Sequence, residues 1–467
     1  MSIYHSTVSR REFMKGLGLA GAGLGAASLV SPKFNDIDEL TSSEATHPYK
    51  RWWINENEYE DITSPVDWNV WRSYDRKAHP GPDMFATGPM SPKLREARAE
   101  RHKQGILNNW PGTTLRDLSL DGATGGNAPA IPWDSNSASS PESRGATGPW
   151  QGSPEENLQT CRAAAHFYGA PRVGAIVINE HMKRLFDGNV VWEDIDTGFI
   201  DEQGVYHVPN KCKYILVWLV KQNYYMSTLA LRNNPKDPWY NTVFRQGKAA
   251  ENQAYSHAPQ VRNQLTKFIK GLGYQALKPA ATANVPFGVF AGIVEQGRAS
   301  HACSPDYGNM IRYCDFAVTD MPLAATRPID AGVVNFCKSC KRCAENCPSK
   351  ALSLDTEQTW DTVDSANNPG HQCWPMNWTA CNDFGGPFDC VNCHTICPFN
   401  HPEDAIIHPV IRATAATTTL FNGFFAEMDK VMGYSDQRSD EEHLAWWSRN
   451  LSNWKEDSLL GFGVKSW

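Results

Sequence analysis

Past residue 30 the chain has no apolar run of membrane-spanning length, so nothing there predicts a helix that crosses a bilayer. It has no basic tract and no aromatic–basic motif, and its formal net charge is −7. Those absences exclude nucleic acid as an expected partner. No internal repeat occurs apart from two cysteine-rich runs, which excludes a repeat architecture. What remains is a 467-residue chain, long enough for two or three domains and a large core.

Its most specific feature is cysteine placement. Phe336 to Pro348 reads FCKSCKRCAENCP, a C-x2-C-x2-C-x3-C-P run. This is the ligand spacing of a bacterial-type ferredoxin. Two-residue gaps in a tight loop let three thiolates converge on one cubane. The fourth cysteine points to a second cluster, and Pro348 stops the loop continuing as a helix. A second run, Cys390, Cys393 and Cys397-Pro398, is one cysteine short. Exchange of the fourth ligands predicts one [4Fe–4S] cluster on Cys337, Cys340, Cys343 and Cys397. The other would sit on Cys347, Cys390 and Cys393, with Cys373 or Cys381 completing it. Cys373 is preferred, because the tract around Cys381 (ACNDFGGPFDC) is glycine-rich and loop-like. Thiolate ligation overrides the disulfide expectation that 13 cysteines raise in an exported protein. Cys161, Cys212, Cys303 and Cys314 are scattered and read as small buried hydrophobes.

At the N-terminus, Ser9-Arg10-Arg11-Glu12-Phe13-Met14-Lys15 reads as a twin-arginine export signal. A Gly/Ala-rich, weakly apolar stretch follows from Gly16 to Val30, with cleavage expected near Ala27 or Ser31. The twin-arginine route carries folded proteins, which suits clusters inserted in the reducing cytoplasm. The expected localisation is the outer face of the cytoplasmic membrane, held peripherally.

Residues 1–31 are therefore set aside as a leader. Residues 32–154 read as a wrapping segment rich in tryptophan and proline (Trp52, Trp53, Trp68, Trp71, Trp110), running into a long loop from Leu120 to Pro154. Residues 155–330 read as an α/β body. Ser153-Pro154-Glu155-Glu156 starts a helix, and VGAIVINE (173–180) and YILVWLV (214–220) are apolar runs suited to buried strands. Val261, Leu265, Phe268 and Leu272 recur at helical spacing before Gly273. Residues 331–405 form the two-cluster module. Residues 406–467 form a tail that packs on the body and ends in Trp446, Trp447, Trp454 and Trp467. The 17 tryptophans suit both a packed core and an indole-lined pocket.

The leader, LGY at Leu272–Tyr274, YGNMIRYCDFAVTDMPL from Tyr307 to Leu323, PIDAG and FCKSCKRCAENCPSKA together resemble the corrinoid-dependent reductive dehalogenases. The likeness runs over nearly the whole chain. It implies a nitroreductase-like core holding a cobalamin derivative base-off, with no protein ligand to cobalt. The absence of a D-x-H-x-x-G histidine motif is compatible with that arrangement. It further implies a small organohalide substrate, a small membrane-anchor protein and a membrane electron-transport chain. In that family a tyrosine donates the proton and a cation stabilises its phenolate. By position these are Tyr255 and Arg312, with Arg298 the rival cation and Asn284 a third polar group.

Each residue also has a structural alternative. Tyr255 could be a half-buried helix tyrosine. Arg312 could pair with Asp315 or Asp320, and Asn284 could hold a turn before Pro286. Trp52, Trp53 and Trp374 either wall the pocket or pack. His371 and His394 read as groups beside the clusters, not ligands. Two other functions compete: a corrinoid iron–sulfur reductase of the epoxyqueuosine type, and an exported electron-transfer subunit. Export argues against the first and chain length against the second.

Overall fold

A computed structural model describes residues 51, 53–75, 92–126, 129–232, 245–384, 390–401 and 407–451. The leader motif, Trp52, Trp454 and Trp467 lie outside the described residues. Among those described, no helix is long and apolar enough to cross a membrane.

The body is built on a three-stranded sheet with Tyr214–Lys221 between Arg172–Val177 and Ile311–Thr319. Both pairings are antiparallel. The middle strand reads as an unbroken apolar run because both its faces are covered. Ile215, Val217 and Leu219 pack with Phe186, Phe287 and Phe316. Leu216, Trp218 and Val220 pack on the other side with Leu158, Ala254, Ala258, Val261 and Leu265. Those partners come from the helices Pro154–Phe167 and Arg245–Gly271. Ser153 caps the first of these through the Glu156 N–H.

The long helix starts well before its apolar stripe at Val261, and it contains Pro259. Proline has no N–H to give the carbonyl one turn earlier, which is that of Tyr255. Ile269, rather than Phe268, completes the fully buried stripe. The loop expected from Leu120 to Pro154 begins later than the sequence suggests. Leu115–Thr124 is a helix closed by a capping box between Thr114 and Asp117.

One irregularity positions the site. Leu219 pairs with Cys314, but Val220 pairs with Arg312, so Tyr313 is a surplus residue in its strand. Such a bulge flips the side-chain alternation. Cys314 stays on the Phe287 face, whereas Arg312 moves to the face of Val220 and the long helix.

The N-terminal segment is fastened to the body by pairing and by charge. Asn55–Glu56 pairs with Ile329–Asp330. Buried Asp306 binds Arg51 at 3.2 Å and Arg172 at 2.5 Å. Burial pushes this carboxyl up, but Arg172 and Arg51, with Arg412 behind them, outweigh it and hold it below the usual carboxylate range. Its contribution is therefore present above the unfolded value and lost as pH falls through the folded one. Asp306→Ala leaves two cations facing an apolar gap. A loss of about 3–5 kcal/mol is expected, read as a lower denaturant midpoint at pH 7 and a smaller difference near pH 3.

Candidate active site

The cysteines expected to hold the first cluster are placed by two short helices and a backbone kink. Val333–Cys340 carries Cys337 and Cys340 one turn apart. Lys341, at φ 52°, ends that helix in the left-handed region, and Arg342–Glu345 then brings Cys343 back toward them. Cys337, Cys340 and Cys397 share one apolar cluster with Phe336, Phe399 and Phe425. Burial raises the Cys337, Cys340 and Cys343 thiols, and the neighbouring thiols of the set, Cys397 among them, raise them further. Four half-buried thiolates at one point repel one another unless cations sit between them. That donor set fits a cubane.

The second set is Cys347, Cys381, Cys390 and Cys393. Burial raises the Cys393 thiol most, followed by Cys390, Cys381 and Cys347. Cys381 likewise feels burial, then Cys390 and Cys347. Cys347, Cys381 and Cys393 pack in one cluster with Cys343 of the first set, which places the two sets side by side. Cys373 is elsewhere: its backbone bridges Thr359, and burial alone shifts its thiol, to about 12. The preference for Cys373 is thereby corrected to Cys381. The physical reason is that the glycine-rich tract follows Cys381, which itself lies in the helix Trp378–Asp383 capped by Asn377. Cys161, Cys212, Cys303 and Cys314 are buried in the apolar clusters, as expected, and Cys303 packs with Cys337, Cys340 and Cys397.

A cavity of about 1160 Å³ opens beside the second set. Cys347, Cys381, Cys390 and Cys393 line it, together with Tyr255, Asn284 and Arg312. The other cysteine set does not. Tyr255 is 42% exposed, and the cavity is where its ring stands. Arg312 is buried, with its guanidinium carbon 5.6 Å from the Tyr255 ring centroid. It meets Glu251 Oε1 at 3.2 Å and His394 Nδ1 at 2.9 Å. Neither aspartate suggested as its partner takes it: Asp315 binds Lys278 and Arg262, and Asp320 accepts from the Gln275 N–H. Asn284 precedes the helix Val285–Phe290, and its Oδ1 is buried without a hydrogen-bond partner.

Arg298, the rival cation, has a different task. It is 1% exposed and lies 4.5 Å over Trp374. Its guanidinium donates to the carbonyls of Cys337, Ser353 and Asp355, bracing the first cysteine loop. Trp374 is thus packing, and so is buried Trp53. The indoles on the cavity are Trp71 and Trp378.

Sequence reasoning missed Lys248, Glu251 and His301. Glu251 lies one helical turn before Tyr255, a legible i,i+4 signal. His301 stacks on His394 with centroids 3.9 Å apart, a contact made across elements that no local pattern announces. Burial, then Arg312, pushes His301 down to about 3, and the same two causes lower His394. Both rings stay neutral beside the guanidinium. His371 is lowered to about 4 by burial alone.

Residues 336–400 match a family model described as a 4Fe-4S double cluster binding domain. The chain is 29% identical to the chloroethene reductive dehalogenase of Dehalococcoides mccartyi strain VS, over 99% of each chain. It is also 29% identical to the trichloroethene reductive dehalogenase of another strain of that species, over 96% of this chain and 98% of that protein. A tetrachloroethene reductive dehalogenase of Sulfurospirillum multivorans is 28% identical over 50% of this chain and 45% of that protein. Among solved structures, the catabolic reductive dehalogenase NpRdhA aligns with a TM-score of 0.56 and 17% identity. The alignment covers 82% of this chain and 49% of that one, so the chain spans about half the length of that protein. Shared fold, shared cluster module and end-to-end likeness converge on one family: the chain is similar to the reductive dehalogenases.

Proposed function

We propose that this protein replaces halogen by hydrogen on a small organohalide of the chlorinated-ethene type. The observation that carries this is that one cavity is lined by a cluster-forming cysteine set, a tyrosine and its cation. The reaction consumes two electrons and one proton and releases a halide. The set Cys337, Cys340, Cys343 and Cys397 would receive electrons from outside. The set Cys347, Cys381, Cys390 and Cys393 would pass them to the cavity one at a time.

The cavity exceeds the volume of ordinary small-ligand sites and fits a corrinoid-sized group. The buried, unpartnered Oδ1 of Asn284 supplies a polar anchor there. The wall from Cys347, Pro348 and Ser349 across to Thr282 and Asn284 would hold that group, in a core we read as nitroreductase-like. A bound corrinoid supplies low-potential reduction at cobalt. Tyr255 holds the proton to be given to carbon, and Arg312 lowers the cost of the phenolate left behind. Trp71 and Trp378 give the substrate apolar walls.

The leader motif supports twin-arginine export to the outer face of the cytoplasmic membrane. There a small membrane-anchor protein and an electron-transport chain would meet the enzyme. An electron-transfer subunit has no use for a tyrosine–arginine pair in a cavity of this size, and export separates the protein from transfer RNA. The deciding experiment is anaerobic reconstitution followed by metal analysis and a reduced-viologen assay on a halogenated panel. About eight irons and one cobalt per chain, with halide release, are expected. Eight irons with no bound corrinoid would leave an electron carrier.

A further inference from the structure

The cation beside Tyr255 belongs to a buried row of three charges. Lys248 Nζ binds Glu251 Oε2, Glu251 Oε1 meets Arg312 Nη2 at 3.2 Å, and Arg312 faces the Tyr255 ring. All three charged side chains are below 10% exposed. Lys248, Glu251 and Tyr255 follow one another on a single helix, whereas Arg312 reaches them from the bulged strand.

Counting charge shows what each member does. Arg312 and Glu251 alone would sum to zero, and Tyr255 would face a neutral pair. Lys248 restores a net charge of plus one. Glu251 meanwhile fixes the guanidinium in place, one turn from the phenol. From this geometry we infer that Lys248 and Glu251 are positioning residues that set the proton affinity of Tyr255 from behind Arg312. Lys248 keeps the glutamate from cancelling the arginine, and Glu251 aims the arginine.

The remaining groups near the phenol do not duplicate this. His394 backs Arg312 from the cluster side, its Nδ1 accepting from the guanidinium at 2.9 Å, and His301 stacks on it, so neither places a further cation against the phenol. Arg72, Arg184, Asp75, Asp187, Asp364 and His371 also line the cavity, and the Arg184 guanidinium is turned to the carbonyls of Trp68 and Trp71. Asp187 is engaged by the Thr282 N–H at 2.7 Å, and Asp364 by the Ala366 N–H at 2.9 Å. His371 is kept neutral by burial. The Tyr255 phenol is raised by burial, lowered by Arg312 and raised by Glu251, the signs that the row requires.

The inference rests on the assignment of Tyr255 as proton donor, yet it can be tested without turnover. The reconstituted full chain is labelled with 3-fluorotyrosine, and the Tyr255 resonance is identified by its loss in Tyr255→Phe. Its titration is then followed by 19F NMR. Lys248→Met is expected to raise the midpoint by about one pH unit, and Glu251→Gln to lower it by a similar amount. Lys248→Arg keeps the charge and should leave the midpoint in place. Iron content equal to that of the parent certifies each variant as folded. Opposite shifts establish the row; shifts of the same sign, or none, overturn it. If Tyr255→Phe keeps full dehalogenation activity, the donor assignment fails instead, and the titration shifts stand or fall separately.

Discussion

Tyr255→Phe is expected to abolish dehalogenation while iron and corrinoid content stay at the level of the parent protein. The substitution deletes one hydroxyl and keeps the ring that lines the cavity. Packing, cluster assembly and the Arg312 contact with the ring face are retained. What is lost is the proton, and general-acid catalysis of this kind is worth about 10²–10⁴ in rate. The phenol also sets a pH limit. Burial raises it, Arg312 pulls it back and Glu251 raises it again, so it is protonated at neutral pH. Activity is therefore expected to be present below the folded-state value and to fall as pH rises through it. Halide release against pH, with iron and cobalt analysis on the same preparation, checks both statements. Full activity in the phenylalanine variant would remove Tyr255 from the mechanism.

Cys381→Ser should cripple the cavity-side cluster, and Cys373→Ser should leave it intact. The two residues are eight apart in the chain and both line the cavity, so lining alone does not separate them. The surroundings do. Cys381 shares its environment with Cys347, Cys390 and Cys393, while Cys373 sits against Thr359 with no other thiol acting on it. Serine is a poor ligand to cubane iron. Loss of Cys381 therefore predicts a fall from about eight irons toward about four, or a three-iron cluster with its own EPR signal. Because this cluster is the one on the cavity, activity should disappear with it. Unaltered EPR spectra in the Cys381 variant would mean that the ligand partition is wrong.

Much of this was legible in the chain because it is local. The C-x2-C-x2-C-x3-C-P run fixes three ligands within a loop, and its meaning does not depend on anything distant. The continuous apolar run of Tyr214–Lys221 announces a strand covered on both faces. Ser153, followed by proline and two glutamates, marks a helix start that is observed. The placement of Cys381 is harder to read, because the glycine-rich tract that follows it masks the short helix on which it sits. Asn377 at the helix start, three residues before Ala380, is the local signal of that helix. The choice between Arg298 and Arg312 was beyond local pattern. One braces the Cys337 loop and the other faces Tyr255, and only the register of three strands separates them.

That register gives the strand Ile311–Thr319 a parity. Its surplus residue at Tyr313 decides on which side of the sheet the guanidinium emerges. Removing or adding a single residue between Ile311 and Cys314 would send Arg312 toward Phe287, away from the phenol, without altering any side chain of the site. Grafting this segment into another scaffold thus requires carrying an odd-numbered offset along with the residues themselves. Substituting the conspicuous side chains alone would transplant the vocabulary of the site without its grammar.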